Sequence, residues 1–160
     1  MTAIPGDELR GGAGRDQSGS KAHETGERMD KLEEIFQRQR ELNRFTFQKN
    51  GLVDFDEIPR QRELQNLWLR NYALAMTQEI AELVDSTNWK WWRTKVDLFD
   101  AQNLQVELID ILHFWVSACQ VMGLSADDVL RMYLQKNAIN ADRQKAGYLQ
   151  KNDADNRLVR

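Results

Sequence analysis

Residues 101–123 read AQNLQVELIDILHFWVSACQVMG. At the ~100° per residue of an α-helix, apolar residues fall on nearly every face of this run, which predicts a central, buried helix. Gly123 supplies the stop, since glycine accepts the left-handed conformation that ends helices. Two residues break the apolar pattern: Glu107 and Asp110, set among Val106, Leu108, Ile109, Ile111 and Leu112. Their i, i+3 spacing projects both from one face.

The flanking segments read as helices too. Between Met29 and Tyr148 there is one proline, Pro59, and three glycines, Gly51, Gly123 and Gly147. No alternating strand pattern and no repeat interrupts them. A first helix is predicted over about Asp30–Phe47, with Leu32, Ile35, Phe36 and Leu42 on one face. A loop through Asn50, Gly51 and Pro59 follows. A second helix is predicted over about Arg60–Val84, with Leu64, Trp68, Tyr72 and Ala75 in one stripe. The third spans about Ala101–Met122. The fourth opens at Ser125-Ala126-Asp127-Asp128, a capping-box pattern with Asp in place of Glu or Gln, and ends near Gly147. Four helices with short links predict an all-α fold, an antiparallel four-helix-type bundle.

Composition bounds the function. The chain has 160 residues, with 22 basic and 25 acidic residues and a net charge of −3. This mild acidity offers no basic footprint for nucleic acid. No apolar run reaches the ~18 residues of a membrane helix. Met1–Gly14 has no apolar core of a signal peptide, so a cytoplasmic location is expected. The single cysteine, Cys119, cannot form an internal disulfide or a zinc cluster. Six of the nine glycines precede Met29, and residues 1–28 carry no aromatic residue. Residues 1–28 are expected to be a disordered tail, 29–149 the working domain and 150–160 a frayed polar end.

The polar residues carry the chemistry. On the second helix, Glu79 and Glu82 continue the stripe of Trp68, Tyr72 and Ala75. A carboxylate on a core stripe is costly unless paired or bound to a metal. Antiparallel packing of the second and third helices sets Glu79 and Glu82 against Glu107 and Asp110. Four opposed carboxylates repel, and a hard cation resolves the repulsion: Mg²⁺ prefers oxygen ligands and also binds phosphate. The bland alternative is four solvated charges on amphipathic helices. A di-iron bundle would need E-x-x-H on two helices. His113 follows Asp110 at i+3, but the only other histidine, His23, lies in the tail. His113 is therefore read as a supporting polar residue.

On the fourth helix, Lys136, Asn140 and Arg143 share one stripe, two cations and an amide suited to a phosphate-bearing ligand. Tyr148 follows Gly147, where a bend would turn its hydroxyl back. The competing reading is a solvated face. On the first helix, Gln39 and Asn43 sit within the apolar stripe. Paired amides can read the acceptor–donor–acceptor edge of uracil, or can simply join two helices. In Trp89-Lys90-Trp91-Trp92, at least two of the three rings are expected to pack in the core. Trp89 and Lys90 are the candidates for base stacking and phosphate contact.

These motifs together resemble the dimeric dUTPase family, within the all-α nucleoside triphosphate pyrophosphatases that include the MazG-like enzymes. The resemblance rests on Gln39-Arg40-Glu41-Leu42-Asn43, on Glu79-Ile80-Ala81-Glu82 running into Trp89-Lys90-Trp91-Trp92, and on Glu107-Leu108-Ile109-Asp110. It continues through Lys136-Asn137-Ala138-Ile139-Asn140-Ala141-Asp142-Arg143-Gln144 and Gly147-Tyr148. The E-x-x-E and E-x-x-D pairs belong to the whole superfamily, whereas the W-K-x-W element and the last block are specific to the dUTPase branch. The resemblance implies Mg²⁺ on Glu79, Glu82, Glu107 and Asp110. It implies phosphate contacts from Lys90, Lys136, Arg143 and Tyr148, and base or sugar contacts from Gln39, Asn43, Trp89 and Asn140. It further implies a homodimer that hydrolyses dUTP, and dUDP as well, to dUMP by attack of a metal-activated water on phosphorus. The chain departs from larger members, which carry a long insertion after the third helix, in passing through Gly123 straight into the fourth. A broader-specificity MazG-like pyrophosphatase and a non-enzymatic helical interaction module are the competing readings.

Overall fold

The computed structural model describes residues 30–93, 99–145, 147 and 159. Its regular elements are all helical: α1 (Lys31–Lys49), a 3-10 helix (Phe55–Arg60), α2 (Arg62–Asp85), α3 (Ala101–Val121) and α4 (Ala126–Lys145). The fold is all-α, as the hydrophobic periodicity predicts.

The ends of these helices follow local chemistry. The Asp30 carboxylate caps α1 by accepting the Leu32 N–H at 3.1 Å, and Glu33 and Glu34 lie in the first turn, where negative charge favours the helix dipole. Gly51 and Gly123 both adopt positive φ. Each closes a helix with the same pair of bonds. Leu52 N–H reaches Phe47 O at 2.9 Å and Gly51 N–H reaches Gln48 O at 3.1 Å, while Leu124 reaches Cys119 at 3.0 Å and Gly123 reaches Gln120 at 2.9 Å. At the start of α4 the Ser125 and Asp128 side chains cap one another's backbone N–H, each at 3.1 Å, so Asp serves where Glu is usual.

One expected loop holds structure. Residues Phe55–Arg60 form a 3-10 helix, capped by Asp54 accepting from Asp56 N–H at 3.0 Å. Its three-residue period and internal Pro59 hide it from an α-helical template. The segment matters, because Phe55 and Ile58 are among the most buried side chains.

The core has two clusters. Phe47, Phe55, Ile58, Tyr72 and Val121 form the first, with Leu64, Trp68 and Phe114 packed on them. Phe36, Val116, Cys119 and Ala126 form the second. Aromatic contacts run through the first, from Phe55 to Phe47 (5.1 Å between centroids), Trp68 (4.4 Å from Phe47), Tyr72 and Phe114. α2 and α3 pack antiparallel. Gln65 donates to Val121 O at one end, and Asn103 donates to Ser86 Oγ at the other.

Two expectations change. The buried face of α1 is Phe36, Gln39, Asn43 and Phe47, while Ile35 and Leu42 are exposed. The amides are inside because α3 offers them Ser117 and Gln120 as partners. Second, α4 does not run back along the bundle: it leaves α3 at 102°. Ala126 is its one buried residue, and Leu130, Tyr133 and Leu134 are exposed. α3 is likewise covered on one side only, with Val106, Leu108 and Ile109 half out of the protein. Among the described residues no single helix is long and apolar enough to cross a membrane.

Candidate active site

The antiparallel seam of α2 and α3 brings Glu79, Glu107 and Asp110 together, with one carboxylate oxygen from each lying within 4.8 Å of the others. Glu107 is the most deeply placed, at 6% exposure, while Glu79 and Asp110 are half-buried. The Glu79 carboxyl is held above the usual carboxylate range. Loss of solvent is the largest cause, followed by a hydrogen bond with Glu107 and the negative charges of Glu82, Asp110 and Glu107. All these influences act in one direction. Three convergent oxygens with no nitrogen or sulfur suit a hard cation such as Mg²⁺. Glu82 stands apart on the exposed side of α2, accepting from Gln78 Nε2 at 2.9 Å, yet its charge still acts on Glu79.

Asn103 supports the cluster from α3. Its Nδ2 donates to Glu107 Oε1 at 2.9 Å and to Ser86 Oγ at 2.7 Å. The sequence carried a signal for it, since Asn103 lies one helical turn before Glu107.

Beyond Ser86 the chain turns into the aromatic segment. Trp89 Nε1 donates to Asp85 at 2.8 Å, and Lys90 Nζ sits 4.8 Å from the Trp89 ring centroid. The expectation that two of the three rings pack in the core is not met. Trp91 is 86% exposed, and Trp89 and Trp92 are exposed as well. Trp92 instead meets the other two edge-on, each at 5.6 Å. Rings left at the surface pack on each other.

Gln39 and Asn43, both 6% exposed, enter an inter-helix network. Gln39 Nε2 donates to Asn43 Oδ1 (3.1 Å) and Ser117 Oγ (3.0 Å). Asn43 Nδ2 donates to Ser117 Oγ (3.0 Å) and Gln120 Oε1 (3.3 Å), and Gln120 Nε2 donates to Phe36 O at 2.7 Å. His113 Nδ1 lies 2.5 Å from Gln39 Oε1. Gln39 and His113 also line an apolar groove of about 540 Å³ between α1 and α3, with Ile35, Leu42, Ile109 and Leu112. Ser117 and Gln120 escaped the sequence reading, although each follows His113 at a helical spacing on the face toward α1.

The candidate residues of α4 stand on the helix that leaves α3 at 102°. Lys136 and Arg143 are half-buried and Asn140 is exposed, on a helix that turns away from the α2–α3 seam. Gly147 takes positive φ, and Tyr148 lies outside the described residues.

Comparison with known proteins follows the same stretch of chain. A family model described as dUTPase matches residues 31–119 and 115–148. The dCTP pyrophosphatase of Enterobacteria phage LZ5 is 29% identical over 104 residues, covering 51% of this chain and 60% of that protein. The dCTP pyrophosphatase of Enterobacteria phage T4 is 26% identical over 104 residues, covering 51% and 61%. The chain thus spans about 60% of the length of these curated relatives. No solved structure gives a significant match. With the family match running from the first residue of α1 to beyond α4, through every carboxylate of the cluster, the chain belongs to the dUTPase family.

Proposed function

We propose that this chain is a Mg²⁺-dependent nucleoside triphosphate pyrophosphohydrolase acting on dUTP, and on dUDP, to give dUMP. The observation that carries the reading is the convergence of Glu79, Glu107 and Asp110 within 4.8 Å, with the Glu79 carboxyl raised by its acidic neighbours. Those three, with Glu82 beside them, would hold the metal. Bound Mg²⁺ would supply charge neutralisation at the phosphate oxygens and a more acidic water. The side chains do the rest. The water oxygen forms a bond to phosphorus as the bond to the departing phosphate oxygen breaks, and the leaving group takes the electron pair. The proton of the water passes to a carboxylate, Glu79 or Glu82. Lys90, Lys136, Arg143 and Tyr148 meet the charge on the phosphates. Trp89 stacks on the base, and Gln39, Asn43 and Asn140 address its edge or the sugar.

A second substrate, dCTP, is favoured by the names of the phage relatives. Amides present both donors and acceptors, so the Gln39–Asn43 pair is chemically able to serve either pyrimidine. A homodimer, the assembly implied by the family resemblance, would cover the exposed apolar residues of α3 and α4.

A nucleotide panel in Mg²⁺, reporting pyrophosphate and phosphate separately, tests the reading. We expect pyrophosphate from dUTP and phosphate from dUDP. Equal rates on dUTP, dCTP and dTTP would sink the uracil reading, and turnover of dCTP alone would establish the second. Release from no nucleotide would remove the enzyme altogether. Sedimentation velocity tests the dimer: a monomer at micromolar concentration would overturn it.

A further inference from the structure

We infer that Asn103 is a positioning residue for the metal-binding carboxylates, and that Ser86 is its anchor. The inference rests on the proposed reading of Glu79, Glu107 and Asp110 as a cation site.

Glu107 is the carboxylate with most to lose from burial, and a buried carboxylate is tolerable only when hydrogen-bonded or neutralised. Asn103 supplies the hydrogen bond from one turn upstream, 2.9 Å from Oε1. The same amide nitrogen reaches Ser86 Oγ at 2.7 Å, so its two hydrogens have one acceptor each. The reverse amide orientation would turn Oδ1 toward the Glu107 carboxylate, so the assignment is determined by its surroundings.

Asn103 is itself held. Its backbone N–H donates to the Asp100 carboxylate at 3.0 Å, and the Asp100 N–H donates to Ser86 O at 3.3 Å. Ser86 is the C-terminal cap residue of α2. One side chain therefore ties the end of α2, the start of α3 and the deepest carboxylate into a single unit. A neutral amide suits this task. A lysine or arginine here would neutralise Glu107 and compete with the cation, whereas an amide orients the carboxylate and leaves its charge in place. The link also runs toward the ligand segment, because Asp85, beside Ser86, accepts from Trp89 Nε1.

The test uses the full-length protein with Mn²⁺ as an electron paramagnetic resonance probe, alongside Mg²⁺ dependence of turnover. Asn103→Leu keeps the side-chain shape and removes the donors. We expect it to weaken Mn²⁺ about 10- to 100-fold, the usual scale for losing a partner that orients a ligand. The Mg²⁺ concentration for half-maximal rate should rise in parallel, with turnover at saturating Mg²⁺ and nucleotide KM changed much less. Ser86→Ala keeps the Asn103–Glu107 bond but frees the amide to rotate, and should give a smaller loss in the same direction. Asn103→Leu that melts earlier without metal yet binds Mn²⁺ as tightly as the unaltered protein would overturn the inference, because that is what a purely structural role predicts. If Asn103→Leu does not fold, Ser86→Ala decides, and unchanged Mn²⁺ affinity there overturns it. If the unaltered protein binds no Mn²⁺ at millimolar concentration, the carboxylate reading falls and the inference with it. If the unaltered protein binds and only the variants are unchanged, the inference alone falls.

Discussion

Glu79 and Glu107 meet across the α2–α3 seam, with one carboxylate oxygen from each lying within 4.8 Å of the other. The Glu79 carboxyl is held above its usual range, first by loss of solvent and then by the neighbouring Glu107, Glu82 and Asp110 carboxyl groups. A raised carboxyl contributes stability that is present below its unfolded value and lost as pH rises through the folded value. At neutral pH without metal, the pair is therefore a liability. Glu79→Gln should raise the metal-free melting temperature at pH 7, abolish further stabilisation by Mg²⁺, and lower kcat/KM by about 10²-fold or more, the scale for losing a charge-stabilising or proton-transfer group. Thermal melts with and without Mg²⁺, read beside the kinetics, decide it. A variant that melts lower without metal and still responds to Mg²⁺ would show that repulsion is not stored there.

Ser117 is the hub of the amide network and is 0% exposed. It accepts from Gln39 and Asn43 and donates to His113 O at 2.8 Å. Ser117→Ala leaves two buried amide donors short of a partner, at a cost of about 1–3 kcal/mol. Urea denaturation should show a lower midpoint at unchanged slope. A midpoint equal to the unaltered protein would mean the amides find other partners.

Cys119 is buried in the second core cluster, and burial pushes its thiol up to about 11. The thiolate is the reactive form. At pH 8 the native thiol should react with a disulfide reagent about 10²-fold more slowly than the same residue in urea, from the ratio of thiolate populations. Equal rates would place Cys119 at the surface.

Much of this arrangement is legible because it is local. The i, i+3 spacing of Glu107 and Asp110 fixes a shared face whatever the tertiary structure, and Gly51 and Gly123 announce helix ends because they accept positive φ. What is not legible depends on partners far along the chain. The Asn103–Ser86 bond joins residues 17 apart, and Gln39 meets Ser117 across 78. Nothing in an amide tells whether it will face a ligand or another helix. The exposed Trp91 and the 102° departure of α4 are tertiary outcomes of the same kind, since an apolar or aromatic residue reads as core wherever it stands.

That departure makes the first turn of α4 decisive, because Ala126, its one buried residue, lies there. Ser125 and Asp128 cap each other in this turn, and Arg131 holds the other carboxylate oxygen at 2.8 Å. The Asp128 carboxyl is lowered to about 2, chiefly by its hydrogen bond from Ser125 and then by Arg131. A depressed carboxyl contributes stability that is present above its unfolded value, near ~3.9, and is lost as pH falls through the folded one. The carboxyl resonance of Asp128 should accordingly titrate near 2. Protection of the first-turn amides of α4 from hydrogen exchange should fall over the interval from about pH 4 to 2. Asp128→Ala should show that low protection already at neutral pH while exchange in α2 and α3 stays as it was. A carboxyl that titrates at the ordinary value, with α4 protection indifferent to the substitution, would mean that the cap does not hold the helix start and that Ala126 and Val129 hold it by packing alone.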